Sequence, residues 1–149
     1  MNIELTITLP GRPMLPNRRR TLHWSVQAKE NRMWRDAVVW SVRATMGPGW
    51  PSEPFQKATV DFMCFRSGMQ PDHDNLVASI KPILDGLQPP RIVQKLSGPI
   101  SIAGSGVIAD DTFACIGAPT VTWQPSKRID DRVVVTVREE ESDADPVDD

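Results

Sequence analysis

Ile3, Leu5, Ile7 and Leu9 alternate with Glu4, Thr6 and Thr8, the period of two that sets one face of a strand against a core. Prolines 10, 13 and 16 then interrupt regular hydrogen bonding, so residues 10–24 read as a loop, basic through Arg18, Arg19 and Arg20. Ser25 is placed to cap a helix. From Val26 to Met46 the apolar positions Met33, Ala37, Trp40 and Ala44 recur at three- and four-residue spacing, with Trp34, Val38 and Val42 widening the stripe. Gly47 followed by Pro48 closes that helix. Residues 57–65 predict a second strand.

Leu76, Ile80, Ile83, Leu84 and Leu87 carry helical spacing over residues 75–87, with an Asp or Asn before Leu76 as the N-cap. Pro82 lacks a backbone donor, which predicts a kink or an early end near Lys81. Residues 88–106 hold three prolines and three glycines and read as a long surface loop, a length that in a compact domain goes with function or disorder. Residues 112–123 and 132–138 predict a closing pair of strands. The expected architecture is α+β: a mixed sheet of about four strands, in the order strand, helix, strand, helix, strand, strand, with the helices packed on it.

The chain has 149 residues, 40% of them apolar and 24% charged, enough for one domain with a real core, taken as residues 1–138. No apolar run approaches the roughly 20 residues of a bilayer-spanning helix. The first ten residues lack the basic start and apolar middle of a signal peptide. A cytoplasmic protein with no membrane partner is expected. Cys64 and Cys115 sit in strand-like stretches without a CxxC or Cys/His cluster, so both read as reduced and buried.

Charge is distributed unevenly. Residues 139–149 carry seven acids and no base, and without them the net charge of -2 becomes +5. That segment reads as a solvated, disordered tail. The basic body permits a polyanionic partner, because phosphate neutralisation by Lys and Arg supplies most non-specific nucleic-acid affinity.

Candidate chemistry concentrates in Pro71-Asp72-His73-Asp74-Asn75-Leu76, between a strand and a helix, and in Asp110-Asp111, after the long loop. Asp72 and Asp74 suit turn and capping positions. Carboxylates gathered at two strand ends also suit an all-oxygen site for Mg2+. Residue pattern alone leaves both readings open.

The order of these features resembles the RusA family of Holliday junction resolvases. The resemblance rests on the opening strand Ile3 to Pro10 with its Pro/Asn/Arg loop, on Pro71 to Leu76, on Lys81 and Asp85 with Gly86-Leu87, and on Gly106-Val107-Ile108-Ala109-Asp110-Asp111. It spans about residues 3–138. It implies a small homodimeric endonuclease, dependent on Mg2+ or alternatively Mn2+, that cuts four-way DNA junctions and is often encoded by phages or prophages. It also implies that Asp72, Asp74 and Asp111 hold the metal with help from Asp110, that Lys81 brings positive charge to the reacting phosphate, and that Arg18, Arg19, Arg20 and Arg66 are candidates for DNA contacts.

Two departures stand out. The motif lysine of many members lies four residues after the second Asp, a position occupied here by Ala78, whereas Lys81 lies seven residues after Asp74. Those offsets differ by about 60° around a helix, so Lys81 can take the motif role or act as an ordinary partner of Asp85. The segment 88–105 is also longer than the short turn the resemblance implies. His73 reads as a neighbour of the site or a DNA-facing residue, and Trp24 as a hydrophobic staple or dimer contact. Five tryptophans in so short a chain also point to a second copy. The alternative function is a DNA-binding homodimer of the same fold without catalysis.

Overall fold

Strand β1 (Glu4–Pro10) presents Leu5, Ile7 and Leu9 to the interior, and its antiparallel partner β6 (Arg132–Glu139) sets Val137, Val135 and Val133 opposite them. This register matches apolar to apolar at every inward position; a slip of one residue would turn the slipped strand's row to the opposite face. The structure is a computed structural model that describes residues 3–141. Strand β2 (Ala58–Arg66) pairs antiparallel with the other edge of β6, so that Val60, Phe62 and Cys64 extend the same inward face. Strand β5 (Thr120–Pro125) adds parallel to β2. The result is a mixed four-stranded sheet in the order β1-β6-β2-β5, with helices over one face, an α+β fold. Each fully buried Val, Leu or Phe of that face contributes about 1.5–3 kcal/mol.

Helix α2 (Trp24–Met46) follows a short turn of helix, α1 (Pro16–Arg19). Its cap is His23, whose ring nitrogen accepts from the Ser25 backbone N–H at 3.2 Å, so the helix starts one residue before the expected cap at Ser25. The buried row is Glu30, Trp34, Val38 and Val42. Met33 and Trp40, read from spacing as core positions, are instead 58% and 67% exposed. The helix carries two adjacent apolar rows, and packing against β1 and the later helix α4 (Lys81–Leu87) selects the one spaced strictly by four.

The expected kinked helix is two pieces, α3 (His73–Ser79) and α4 (Lys81–Leu87), separated by Ile80. Pro82 has no N–H for the carbonyl four residues back, so the chain restarts with Pro82 in the first turn of α4. Gly86 lets α4 cross α2 closely: a Cβ there would stand 2.9 Å from Val38 Cβ and 3.1 Å from Arg35 Cα.

Two stretches depart from the sequence pattern. Residues 88–106 are no irregular loop but carry a β-hairpin, β3 (Arg91–Lys95) and β4 (Gly98–Ile102). Its prolines lie outside the strands or, as Pro99, in a two-stranded ribbon where no central ladder is broken. Only the end of 112–123 is strand; Phe113–Ile116 forms a helical turn, α5, after Thr112.

At the C-terminal side β6 runs to Glu139, which pairs with Ala58, and the Glu140 N–H donates to Lys57 O at 2.9 Å. The remainder of the acidic tail beyond residue 141 lies outside the described residues. Both cysteines are free and buried, and burial pushes the Cys64 thiol up to about 11. Among the described residues no helix is long and apolar enough to cross a membrane.

Candidate functional site

Asp72 occupies the N-cap position of α3, its carbonyl accepting from Leu76 N at 3.0 Å, but its carboxylate makes no capping hydrogen bond. Asp74 lies in the first turn of the same helix. Both side chains are exposed, and neither has a hydrogen-bond or ion-pair partner among the described residues. The cap is therefore made by backbone alone, which leaves two free carboxylates at the positive end of a helix. His73, between them, is exposed.

Asp111 is brought in from the far side of the hairpin. The end of α4 leaves carbonyls that an isolated helix could not satisfy, and the strand-like segment 105–109 satisfies them. Ser105 N donates to Gly86 O at 2.8 Å, Gly106 N to Gln88 O at 3.0 Å and Ile108 N to Leu87 O at 3.1 Å. Phe55 and Ile108 form an isolated parallel bridge on its other side. Gly104 makes the closure possible, because a Cβ there would fall 2.1 Å from Gln88 O. Asp110 and Asp111 follow directly, and the Asp110 carboxylate accepts from the Asp111 N–H at 2.8 Å.

Lys81, in the first turn of α4, bridges two carboxylates. Its Nζ donates to Asp85 Oδ1 at 2.8 Å, one helical turn on, and to Asp111 Oδ2 across thirty residues of chain. Burial alone would lower the Lys81 ammonium, but the hydrogen bonds and charges of Asp111 and Asp85 outweigh it and hold the pKa above its ordinary value. The same hydrogen bond from Lys81 holds Asp111 below the ordinary carboxylate range. Lys81 thus pairs with Asp85, as its spacing predicts, and also reaches Asp111 of the later acidic pair.

The basic residues divide by environment. Helix α1, carrying Arg18 and Arg19, packs against α3, which places the basic turn beside the helix of Asp72 and Asp74. Arg18 and Arg20 are exposed, Arg20 donating to Asn17 Oδ1 at 3.4 Å, while Arg19 Nη2 is buried without a partner among the described residues. Arg66 is engaged in holding the loop, donating to Pro13 O at 2.7 Å; burial and neighbouring Arg12 lower its pKa. Two buried carboxylates support this loop from below and have no sequence signal of their own. Asp131 accepts from Ser67 N at 2.7 Å and pairs with Arg12 at 3.7 Å. Glu30 Oε1 accepts from Met14 N at 3.0 Å and Trp34 Nε1 at 3.2 Å.

Among the described residues, no three Asp, Glu, His or Cys side chains stand close enough to hold one metal ion as they are arranged. The donor chemistry of Asp72, Asp74, Asp110 and Asp111 suits a hard divalent cation such as Mg2+ or Mn2+. Asp72 and Asp74 are free to ligate, whereas Asp111 already has a cationic partner in Lys81. No family model matches the chain, and no curated protein matches its sequence.

Proposed function

We propose that the protein is a homodimeric, metal-dependent endonuclease selective for branched DNA, with the four-way junction as substrate, as the resemblance to the RusA family implies. The observation that carries this reading is the meeting of Lys81 with Asp111 and Asp85; the preceding helix carries two carboxylates unpaired among the described residues, and the basic turn packs against that helix. Lysine, acidic residues and arginines in that combination serve phosphodiester hydrolysis. Asp72, Asp74 and Asp111 would hold Mg2+ or Mn2+, with Asp110 fixing the backbone of Asp111 through its hydrogen bond. The ion, when bound, supplies charge neutralisation at the scissile phosphate and acidifies a bound water.

The chain's own residues do the remaining work. Lys81 offers a fixed ammonium to the charge that builds on the phosphate oxygens, and Asp85 orients it from one turn away. Arg18 and Arg20 neutralise backbone phosphates beside α3. The exposed row Val26, Met33 and Trp40 on α2, spaced by seven, supports a second copy as partner. The setting this implies is a bacterial host's cytoplasm, with a phage or prophage origin.

A second reading, a DNA-binding homodimer without catalysis, is favoured by one observation: the carboxylates are not gathered into a three-donor set among the described residues, and Lys81 neutralises Asp111. The test is incubation of the purified protein with an immobile four-way junction and a linear duplex of the same sequence. Junction cutting that requires Mg2+ or Mn2+ supports the nuclease. Tight DNA binding with no cutting under any divalent ion supports the second reading; equal cutting of duplex and junction overturns the selectivity for branched DNA, and no binding to either DNA overturns both.

A further inference from the structure

The β3–β4 hairpin and α2 enclose a cleft of about 590 Å3, lined on the helix by Trp24, Asn31, Arg32 and Arg35 and on the hairpin by Val93 and Lys95. The helix positions recur at spacings of seven, eight and eleven from Trp24 and so share one face, apart from both the buried row and the exposed apolar row. On β3, Val93 and Lys95 alternate with Ile92 and Gln94, which puts Arg91 on their side of the ribbon. Among the described residues Asp36 is the one carboxylate lining the cleft, against Arg32, Arg35 and Lys95. None of these four charged groups takes part in an ion pair among the described residues. Among the described residues the cleft therefore holds three cations against one carboxylate, a net excess of positive charge with no ion pair formed within it.

Three further features call for an occupant. Arg35 Nε and the Asn31 side-chain oxygen, on two residues that line the cleft, are buried without hydrogen-bond partners among the described residues, a cost recovered when these side chains turn onto a ligand's acceptor and donor. Trp24 is 72% exposed at the start of α2, so it staples nothing and presents an indole face. The hairpin pairs only with itself, with Ile92 and Leu96 in solvent, and a lone two-stranded ribbon is marginally stable. Its base alone is clamped, through Ser105, Gly106 and the close approach at Gly104.

A phosphodiester strand matches this chemistry. Its oxygens accept from guanidinium and ammonium groups, its bases carry donors for Asn31, and a base can stack on Trp24. We propose that the cleft between α2 and the β3–β4 hairpin holds the backbone of a DNA arm, with Arg32, Arg35 and Lys95 on its phosphates and Trp24 against a base. The inference rests on the DNA-binding reading above and extends it to a surface outside the Lys81–Asp111 site. The two surfaces adjoin: Arg35 meets α4 at Gly86, the residue after Asp85.

The experiment measures anisotropy of a labelled four-way junction in EDTA over a salt series, for the parent protein, the double variant Arg32→Ala/Lys95→Ala and Trp24→Ala. All three side chains are exposed, so folding is not at stake, and circular dichroism checks it. The double variant should bind about tenfold more weakly and lose about two from its salt slope, one per phosphate contact. Trp24→Ala should bind at least about fivefold more weakly with the slope unchanged. Parental affinity and slope in the double variant, with the parent binding the junction, overturn the cleft and leave the nuclease reading standing. Weakened binding by the variants of a parent that cuts no DNA upholds the cleft while the nuclease reading falls. A parent that binds no DNA overturns both.

Discussion

Lys81 is the residue on which the chemical account turns. Its ammonium touches Asp85 and Asp111 at once, and its side chain is half exposed, 54%, so the pair is screened and its value lies in positioning more than in stability. Lys81→Ala should lower the single-turnover rate of junction cutting at least tenfold, about 1.4 kcal/mol, while affinity in the absence of metal changes little; a parental rate would place the needed charge elsewhere. The pH behaviour follows from the two shifts. A depressed carboxyl contributes stability above its ordinary pKa of 3.8 that is lost as pH falls through its lower folded value. A raised ammonium contributes below its ordinary 10.5, and that contribution is lost as pH rises through its higher folded value. The bridge should therefore persist from about pH 5 to about pH 10, to be read as an unchanged Lys81 side-chain NMR signal across that window, with a midpoint above 10.5. A midpoint below that ordinary value would mean that burial, not pairing, governs the group.

At the level of elements, the closure of segment 105–109 onto the end of α4 is what delivers Asp111 to Lys81. Gly104→Ala should destabilise the fold by about 2 kcal/mol or more, because the added carbon meets backbone that cannot rotate away. Thermal unfolding checks this, and an unchanged midpoint would show that the closure is not tight. Strand β1 was legible because Leu5-Ile7-Leu9 alternate strictly with polar residues, and β2 and β6 as short runs rich in β-branched and apolar residues. Of 112–123 only the end is strand, because Phe113–Ile116 closes a helical turn that its composition does not announce. The break at Pro82 was legible from a missing donor. The hairpin was not, since Val93, Ile100 and Ile102 are interleaved with Pro and Gly, and its stability comes from contacts at its base that involve residues distant in sequence. The exposed side of α2 was misread for a related reason: Met33 and Trp40 satisfy helical spacing as well as Trp34 and Val38 do, and only the sheet decides between the rows. Of the site, the residue types and the Lys81–Asp85 spacing were legible. The contact of Lys81 with Asp111, the free state of Asp72 and the structural duty of Arg66 depend on tertiary placement.

For the whole molecule, the uncovered row Val26, Met33 and Trp40 predicts self-association, since 43%, 58% and 67% exposure of three large apolar side chains in line is costly in a monomer. Sedimentation should show a dimer at micromolar concentration, converted to monomer by Met33→Glu/Trp40→Glu; a parent that sediments as monomer would refute the second copy as partner. The central claim is that the carboxylates around Lys81 form a nuclease site on a body that binds DNA through other residues. Asp74 tests it most directly, because its carboxylate has no partner among the described residues and its loss disturbs no contact there. The measurement is the single-turnover rate of junction cutting in Mg2+ by Asp74→Asn beside its junction affinity in EDTA. The account predicts a loss of cutting by at least a hundredfold, about 2.7 kcal/mol, with affinity within about twofold of the parent. Cutting at the parental rate would contradict it.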